Sequence, residues 1–272
     1  MHTMQIDFTK MHGLGNDFVV IDGRGTPVEM TTARARAIAD RRTGIGCDQL
    51  IVIGPSDHAD AQMRIFNADG TEPEMCGNGI RVMARYLVER GHQPEGIFAI
   101  NTRDGVKHLR VPAKDDISVN MGKVIDEGEA VTASVEGKIW NGYHISVGNP
   151  HAVVFVEKIE DVGSLKDAPV VRPRDIYPEG VNVEFVEITA NREIKMRVHE
   201  RGSGETRSCG TGTCAVALAA TLHTNTSLPA RWVIFPPGGR LVVDIDPHAN
   251  ATLIGPAVLI KDIDITNYLQ DA

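Results

Sequence analysis

The feature that most constrains the fold is an internal repeat at a constant offset of 133 residues. With this shift, the segment Cys76-Gly77-Asn78-Gly79 aligns with Cys209-Gly210-Thr211-Gly212, and Gly15-Asn16 aligns with Gly148-Asn149. Over residues 63–84 and 196–217, seven of 22 positions are identical without a gap. Chance similarity between common turn residues would not keep one offset across separate segments. The repeat therefore predicts two similar domains.

Each unit contains short apolar segments that are typical of strands and a smaller helical part. The predicted strands, rich in β-branched or aromatic residues, cover residues 19–21, 50–53, 63–66, 152–156, 183–188, 195–198, 232–235 and 241–245. The predicted helices cover residues 31–42, 78–90 and 211–222. The last of these is apolar on all sides, which predicts a buried helix. The pattern indicates an α+β fold in which each domain has a helix that begins just after a cysteine.

Composition narrows the class of protein. A hydrophobic content of 42% and a charged content of 24% are normal for a globular chain with its own core. A formal net charge of −8, with no Lys/Arg run between aromatic residues, disfavours a nucleic-acid partner. No apolar run approaches the roughly 20 residues that span a bilayer, and residues 1–10 lack the apolar core of a signal peptide. We therefore expect no membrane association and a cytoplasmic location.

The four cysteines are too few for a disulfide framework, so we expect thiols. Cys76 and Cys209 stand at predicted helix starts, where the first N–H groups lack partners and the helix dipole is positive. Both effects favour the thiolate, and such positions can lower a thiol pKa from about 8.5 into the range of roughly 3.5–7.5. A helix start of this kind also suits a carboxylate ligand.

Two thiols that face one cleft suit the inversion of a stereocentre. One thiolate removes a proton from one face of the carbon atom, and one thiol delivers a proton to the other. Helix N-termini could stabilise the enolate-like charge, so we expect neither a cofactor nor a metal. The spacing Gly210-x-Gly212-x-x-Ala215 imitates a dinucleotide loop, but a polar loop precedes it instead of a strand. Metal-ligand spacings such as His-Glu-x-x-His do not occur.

From about residue 6 to its end, the chain resembles the diaminopimelate epimerase family. The motifs that carry this resemblance are Lys10-Met11-His12-Gly13-Leu14-Gly15-Asn16-Asp17-Phe18, Gly44-Ile45-Gly46-Cys47-Asp48-Gln49, Phe66-Asn67-Ala68-Asp69-Gly70, Met75-Cys76-Gly77-Asn78-Gly79-Ile80-Arg81, Gly148-Asn149-Pro150-His151-Ala152, Val181-Asn182-Val183, Glu200-Arg201-Gly202-Ser203-Gly204-Glu205-Thr206 and Cys209-Gly210-Thr211-Gly212. They are long and occur in order, so together they are highly specific.

The resemblance implies two pseudo-symmetric α+β domains, each a strand-rich barrel around a central helix. We place the N-terminal domain at residues 1–123, joined by residues 263–272, and the C-terminal domain at residues 124–262. The implied activity is an isomerase that converts LL-2,6-diaminopimelate to meso-2,6-diaminopimelate without a cofactor, in lysine and peptidoglycan biosynthesis. The implied partners are this small-molecule substrate and a second copy of the chain in a homodimer.

The resemblance also implies a site. Cys76 and Cys209 match the acid–base pair. The positions that match substrate-binding residues are Asn16, Gln49, Asn67, Gly77, Asn78, Asn149, Asn182, Glu200, Arg201, Gly210 and Thr211. His151 and Glu200 match positions that tune the thiols. Arg201 has the fork geometry that binds a carboxylate through two hydrogen bonds, as the distal amino-acid head of the substrate requires.

Two positions depart from the family pattern. Glu184 stands where the family usually has Gly, and Cys47 where Phe or Ala is frequent. We expect neither to touch the acid–base pair, and we interpret Cys47 and Cys214 as small buried hydrophobic residues.

Two other functions remain open from the residues alone. One is a two-thiol racemase for proline, hydroxyproline, histidine or glutamate, and the other is a redox or binding protein on the same duplicated fold.

Overall fold

The computed structural model describes residues 7–260, which form eighteen strands, three α-helices and one 3₁₀-helix. The helices are α1 (Thr32–Ala39), α2 (Gly77–Glu89) and α3 (Gly210–His223), and the 3₁₀-helix is Ile159–Val162. The strands are β1 (Phe8–Gly13), β2 (Asn16–Asp22), β3 (Gln49–Gly54), β4 (Ala61–Asn67), β5 (Gly96–Thr102), β6 (Gly105–Val111), β7 (Ile117–Lys123), β8 (Ile125–Val135), β9 (Lys138–Ser146), β10 (Pro150–Phe155), β11 (Val170–Arg172), β12 (Asn182–Ala190), β13 (Glu193–Glu200), β14 (Gly204–Thr206), β15 (Ala230–Phe235), β16 (Leu241–Ile245), β17 (Asn250–Gly255) and β18 (Val258–Leu259). The predicted strands lie within these strands, except that the predicted strand 152–156 extends one residue beyond the end of β10.

The strands pair in the order β18-β1-β2-β3-β4-β5-β6-β7-β17-β16-β15-β13-β12-β10-β9-β8-β11, with β14 beside β13. Both halves repeat one pattern of parallel and antiparallel pairs. The parallel pair β2–β3 places Phe18 opposite Gln49, and the parallel pair β10–β12 places His151 opposite Asn182. The two registers differ by the 133-residue offset. The predicted fold of two similar α+β halves is therefore confirmed.

Each long helix is enclosed by the strands of its own half. Helix α2 contacts β1, β2, β3, β4, β6, β7 and β18, and α3 contacts β9, β10, β12, β15, β16 and β17. The prediction of a buried third helix is confirmed, because α3 is buried over nearly its whole length. Its alanine-rich sequence leaves room for strands to approach from every side. A central helix holds its N-terminus in a fixed position at one end of each barrel.

The two halves meet along the antiparallel pair of β7 and β17. Strand β8 continues the sheet of the C-terminal half through β9, and β18 returns to pair with β1. We propose a domain boundary after residue 123, as the sequence suggested, but place the second boundary before β18 instead of after residue 262, because β18 pairs with β1 and packs against α2. The expected return of residues 263–272 to the N-terminal domain lies outside the described residues.

Helix α1 is the main departure from the repeat. It packs through Ala35 and Ala39 on the outer face of β2 and β3, whereas the corresponding part of the C-terminal half contains the extended strand β11. The prediction that this helix reaches residue 42 is wrong. The Asp40 carboxylate accepts the backbone N–H groups of Arg42 and Thr43, and this local turn replaces the next helical hydrogen bonds. Among residues 7–260, no helix has the length and apolar character needed to cross a membrane.

Candidate active site

Cys76 and Cys209 occupy the same position at the starts of the two central helices. Each is the N-cap residue, in extended backbone conformation, and its sulfur accepts the backbone N–H group of the third residue of the helix. The distance from Gly79 N to Cys76 Sγ is 3.5 Å, and that from Gly212 N to Cys209 Sγ is 3.4 Å. The repeat therefore places both thiols against unpaired donors of a helix N-terminus, as the sequence predicted.

The two helix starts lie in contact with each other. A Cβ atom added to Gly210 would lie 2.9 Å from the Cα atom of Gly77, and one added to Gly77 would lie 3.0 Å from the Cα atom of Gly210. The Asn78 amide reaches across to the backbone oxygen of Ser208 at 3.5 Å. Glycine at both positions is what permits this approach. Two positive helix ends therefore adjoin one region between the halves.

Burial outweighs the helix ends in setting the thiol pKa values. Loss of solvent raises the pKa of Cys76 to about 11, although the N–H groups of Gly79 and Asn78 act in the opposite direction. Burial, followed by the negative charges of Glu200 and Glu184, raises the pKa of Cys209 well above its ordinary value. The expectation of lowered pKa values is thus wrong for the enzyme without substrate. Both sulfurs are thiols at neutral pH.

The two cysteines differ in their charged neighbours. Glu200 lies beside Cys209 and accepts a hydrogen bond from the Thr206 hydroxyl, and burial raises the pKa of its carboxyl group. Behind Cys76 lies Arg81, which is fully buried and donates to the backbone oxygens of Gly77 and Pro256 and to Asn78 Oδ1. Burial lowers the pKa of Arg81 to about 10, so it keeps its charge at neutral pH.

The predicted substrate-binding residues of the N-terminal half lie at the strand ends that adjoin Cys76. The Asn16 Oδ1 atom is 4.0 Å from Cys76 Sγ, and Asn16 Nδ2 donates to Asp48 at 3.3 Å. Gln49 Nε2 donates to Asn67 Oδ1 at 2.9 Å, across the β3–β4 pair. The side chain of Asn78 is instead buried and held by Arg81.

The C-terminal half presents the equivalent set beside Cys209. Asn149 Nδ2 donates to the Thr211 hydroxyl at 3.4 Å, and that hydroxyl lies 3.5 Å from Cys209 Sγ. Asn182 Oδ1 accepts the backbone N–H of Arg201 at 2.9 Å. The pairs Asn16/Asn149, Gln49/Asn182, Asn67/Glu200, Cys76/Cys209, Gly77/Gly210 and Asn78/Thr211 are each related by the 133-residue offset. The site is therefore nearly symmetric.

Arg201 and His151 break this symmetry. Arg201 follows the end of β13, is exposed to solvent and lies 3.6 Å from the Glu179 carboxylate. His151 is fully buried, with Nε2 at 3.0 Å from Asn149 Oδ1 and Nδ1 at 2.7 Å from Glu184 Oε1. The equivalent positions in the other half are Ala68 and Phe18.

Glu184 is a site residue that sequence reasoning missed. It was expected to stay clear of the acid–base pair, yet its carboxylate is one of the charges that raise the pKa of Cys209. A Cβ atom added to Gly212 would lie 2.5 Å from Glu184 Oε1, which places the carboxylate directly against the start of α3. The available signal was the repeat, in which Glu184 aligns with the apolar Ile51. Arg81, which aligns with Cys214, could have been found in the same way.

The remaining cysteines behave as expected of small buried residues. Cys47 packs among apolar residues of β2, β3 and α1, and Cys214 lies inside α3. Burial raises the pKa of Cys47 to about 11 and that of Cys214 to about 12. Within residues 7–260, no group of three or more His, Cys, Asp and Glu side chains is placed to hold a metal ion.

The raised thiol pKa values predict a pH dependence of alkylation. Only the thiolate reacts with iodoacetamide, so the midpoint of the rate profile for Cys76 should lie near pH 11 in the enzyme without substrate. The profile for Cys209 should also lie above the ordinary thiol value of about 8.5. Peptide mass spectrometry after timed alkylation measures both. A midpoint below the ordinary value for either residue would show that the helix ends dominate after all.

The family model and the relatives that match this chain in sequence carry the same family description. A family model described as diaminopimelate epimerase matches residues 8–125 and 143–260, one segment in each half. A diaminopimelate epimerase of Streptomyces coelicolor is 41% identical over 95% of this chain and 94% of its own length. One of Thioalkalivibrio sulfidiphilus is 39% identical over 96% of this chain and 100% of its own.

Solved structures with low sequence identity share the fold. A phenazine biosynthesis protein of the PhzF family from Bacillus anthracis has a TM-score of 0.71 at 17% identity and covers 95% of this chain and 98% of its own. A hydroxyproline epimerase from Agrobacterium vitis, with bound trans-4-hydroxy-L-proline, has a TM-score of 0.69 at 17% identity. It covers 94% of this chain and 91% of its own. At these identities the likeness describes architecture alone.

Proposed function

Because this chain belongs to the diaminopimelate epimerase family, we propose that it inverts the substrate Cα centre with Cys76 and Cys209 as its acid–base pair. The enzyme is an isomerase that interconverts LL- and meso-2,6-diaminopimelate, in lysine and peptidoglycan biosynthesis. The observation that carries the two-thiol mechanism is the contact between the two helix starts, each headed by a cysteine.

Inversion requires proton transfer on opposite faces of one carbon atom. With the reacting Cα between the sulfurs, one thiolate removes the proton and the opposite thiol supplies another, which leaves the two protonation states exchanged. Positioned acid–base groups contribute about 10²–10⁴ in rate. The rest of the typical barrier reduction of about 8–23 kcal/mol must come from stabilising the enolate-like charge.

The helix starts supply that stabilisation. We assign the reacting carboxylate to the backbone N–H groups at Gly77, Asn78, Gly210 and Thr211, whose positive helix ends meet between the halves. Each preorganised donor at a developing oxyanion contributes about 2.7–4 kcal/mol. Several such donors together account for the acidity that an electron-sink cofactor would otherwise provide, so the proposal includes no cofactor and no metal.

Glu200 and the bound substrate together explain how a thiol with a raised pKa can lose its proton. Burial raises the pKa of Glu200, and this carboxylate acts on both cysteines. We assign it as the group that takes the Cys209 proton, which yields a thiolate and a neutral carboxylic acid. The ammonium group of the bound substrate further favours the thiolate.

The polar residues around the cysteines fit the second amino-acid head of the substrate. Asn16, Gln49, Asn67, Asn149, Asn182 and Glu200 offer amide and carboxylate groups that donate to a carboxylate or accept from an ammonium group. Arg201 adds a solvent-exposed guanidinium group, which we assign to the distal carboxylate. A single-headed substrate such as proline would leave these groups unused, so racemase assays with proline and glutamate should give no turnover.

Proton NMR in deuterium oxide tests the reaction directly. Incubation with LL-diaminopimelate and no added cofactor should replace the α-proton signal by deuterium while the meso isomer accumulates. Heat-inactivated enzyme is the control for spontaneous exchange. Retention of the full α-proton signal under turnover conditions would contradict the proposed reaction.

Replacing Arg201 by lysine should weaken substrate binding more than folding. An ammonium group cannot copy the two parallel hydrogen bonds of a guanidinium fork. We expect KM for LL-diaminopimelate to rise by at least roughly tenfold, since loss of one charged hydrogen bond costs about 1.5–3 kcal/mol. The Tm should be nearly unchanged, because Arg201 is exposed. Arg231→Lys, at another exposed arginine that also has one carboxylate neighbour, is the matched control. An unchanged KM in Arg201→Lys would mean that Arg201 does not bind the distal carboxylate.

We propose that the enzyme acts in the cytoplasm as a homodimer, on the basis of the family alone. Sedimentation velocity at assay concentration measures the assembly state. A single species with the mass of one chain would contradict the dimer.

A further inference from the structure

Arg81 is a buried cation that the proposed reaction does not use. Its side chain is fully inaccessible to solvent, and it lies early in α2. The equivalent residue in the C-terminal half is Cys214, so the fold accepts a small residue without charge at this position. Taking a charged group out of water is unfavourable unless its partners compensate for the lost hydration. The presence of an arginine here therefore points to a role for its contacts.

The guanidinium group of Arg81 reaches three oxygen atoms with three separate nitrogen atoms. Nη1 donates to the backbone oxygen of Gly77 at 2.8 Å, and Nη2 donates to Asn78 Oδ1 at 2.7 Å. Nε donates to the backbone oxygen of Pro256 at 3.3 Å. Gly77 and Asn78 belong to the first turn of α2, whereas Pro256 lies in the segment between β17 and β18. The side chain therefore ties the start of α2 to the segment by which the chain returns from the C-terminal half.

The contact with Arg81 fixes the direction of the Asn78 amide. A guanidinium group only donates hydrogen bonds, so the amide atom that faces it must be the carbonyl oxygen. The NH₂ group then points the other way, and Asn78 Nδ2 donates to the backbone oxygen of Ser208 at 3.5 Å. A backbone oxygen only accepts, so both ends of this chain of hydrogen bonds require the same amide orientation. Since Ser208 precedes Cys209, the chain connects Arg81 to the N-cap of α3.

We propose that Arg81 is a positioning residue that, through the Asn78 amide, holds the segment before Cys209 against the start of α2. This inference rests on the proposed role of Cys76 and Cys209 in the reaction. The two helix starts meet at Gly77 and Gly210 through backbone atoms. We assign the spacing of the helix starts, and so that of the two thiols, to the directional hydrogen bonds beside this contact.

The test is Arg81→Lys, measured by iodoacetamide alkylation of Cys209 at a fixed pH. Lysine keeps the positive charge, but its single nitrogen atom cannot replace a planar fork that reaches three separate oxygen atoms. With the Asn78 amide released, the helix starts should separate and expose Cys209 to solvent. Burial is the largest cause of the raised pKa of Cys209, so exposure should lower that pKa. We expect alkylation to be roughly tenfold faster, equal to about one pH unit in its midpoint.

Arg85→Lys is the matched control on the same helix. Arg85 is also buried, and it also donates to three backbone oxygen atoms, those of Pro112, Ala113 and Asp115. All three belong to the N-terminal half, so this variant loses comparable hydrogen bonds without breaking the link between the halves. It should therefore leave the alkylation rate of Cys209 unchanged.

Two further readouts separate a loss of position from a loss of stability. Cys47 is a buried thiol away from the helix starts, and general loosening of the fold would accelerate its alkylation together with that of Cys209. In Arg81→Lys the Cys47 rate should stay at the wild-type value. In turnover of LL-diaminopimelate, kcat should fall by up to about 100-fold, the cost of a misplacement of roughly 1 Å. KM should change much less, because the polar groups at the strand ends remain.

Asn78→Thr tests the middle of the chain and decides the proposal if Arg81→Lys does not fold. Threonine stands at the equivalent position of the other helix, as Thr211, so a helix start of this kind accepts it. Its hydroxyl group is one bond shorter than the amide and leaves the Ser208 oxygen without this donor. The variant should accelerate Cys209 alkylation as Arg81→Lys does. The double variant should add nothing further, because both changes break the same link.

An unchanged Cys209 rate in folded Arg81→Lys or in Asn78→Thr would overturn the proposal. Equal acceleration in Arg85→Lys, or parallel acceleration at Cys47, would also overturn it, because Arg81 would then contribute only to stability. Alkylation does not require turnover, so this failure is separate from failure of the two-thiol reaction, which would appear as retained epimerisation in Cys209→Ala.

Discussion

Cys76→Ala and Cys209→Ala should each abolish epimerisation in a folded protein. Each thiol serves one face of the substrate Cα atom, so loss of either leaves one proton transfer without a partner, and we expect kcat to fall by at least about 10²–10⁴. Turnover of LL-diaminopimelate, followed by the appearance of the meso isomer, measures the effect. Near-wild-type turnover in either variant would contradict the two-thiol mechanism.

Serine variants separate chemistry from helix capping. Both cysteines cap a helix, and a serine hydroxyl keeps that cap while its proton is far less acidic. Cys76→Ser and Cys209→Ser should therefore keep the Tm and lose activity. Cys47→Ala and Cys214→Ala, at buried thiols away from the site, should keep activity. If a serine variant kept turnover, helix capping would be the only role left for the two cysteines.

The same variants also assign each thiol to a face. With one thiol left, α-proton exchange can occur only for the stereoisomer whose hydrogen faces it. Any residual exchange in Cys209→Ala should therefore be confined to one isomer, and in Cys76→Ala to the other. Deuterium uptake from each pure isomer measures this, and equal uptake from both isomers would mean that the thiols do not take opposite faces.

The repeat made the fold and the position of both thiols predictable. The offset that aligns Cys76 with Cys209 also reproduces the register of β2 on β3 in β10 on β12, so one pattern serves twice. Strands such as β6 and β8 were missed, because their exposed polar residues give no apolar run. The end of α1 was missed for a local reason, the turn made by the Asp40 side chain.

The electrostatics of the site could not be predicted in this way. The helix start is a local feature, and it led to an expectation of lowered thiol pKa values. Burial and the charge of Glu184 are set by strands distant in sequence, and they raise the pKa of Cys209 instead. Arg81 illustrates the same limit, since a charged residue on a helix gives no sign of burial unless the repeat is compared. The repeat predicts the arrangement of strands and helices, and the positions where the two halves differ, such as Glu184 and Arg81, are where buried charges stand.

A methyl group between the two helix starts should disable the enzyme without unfolding it. In Gly210→Ala the new Cβ atom would lie 2.9 Å from the Cα atom of Gly77, whereas carbon atoms pack at about 3.5–4.0 Å. The Cα and N atoms of Gly77 are backbone, and Leu253 Cδ2 lies 3.3 Å away on another side, so the helix starts must separate by roughly 0.5–1 Å. A misplacement of about 1 Å at reacting groups can cost about 100-fold, and we expect kcat to fall by about that factor.

This result would bear on the geometry because the substitution removes no functional group. The N–H donor at residue 210 remains, and alanine is a better helix former than glycine by about 0.5–1 kcal/mol, so α3 itself should not weaken. Gly25→Ala is the matched control, since a Cβ atom there meets nothing within 4 Å. Adding Gly77→Ala to Gly210→Ala should lower kcat by a smaller factor than Gly77→Ala does alone, because the first methyl group has already separated the helix starts. Wild-type kcat in Gly210→Ala would mean that contact between the helix starts is not what aligns the two thiols on one carbon atom.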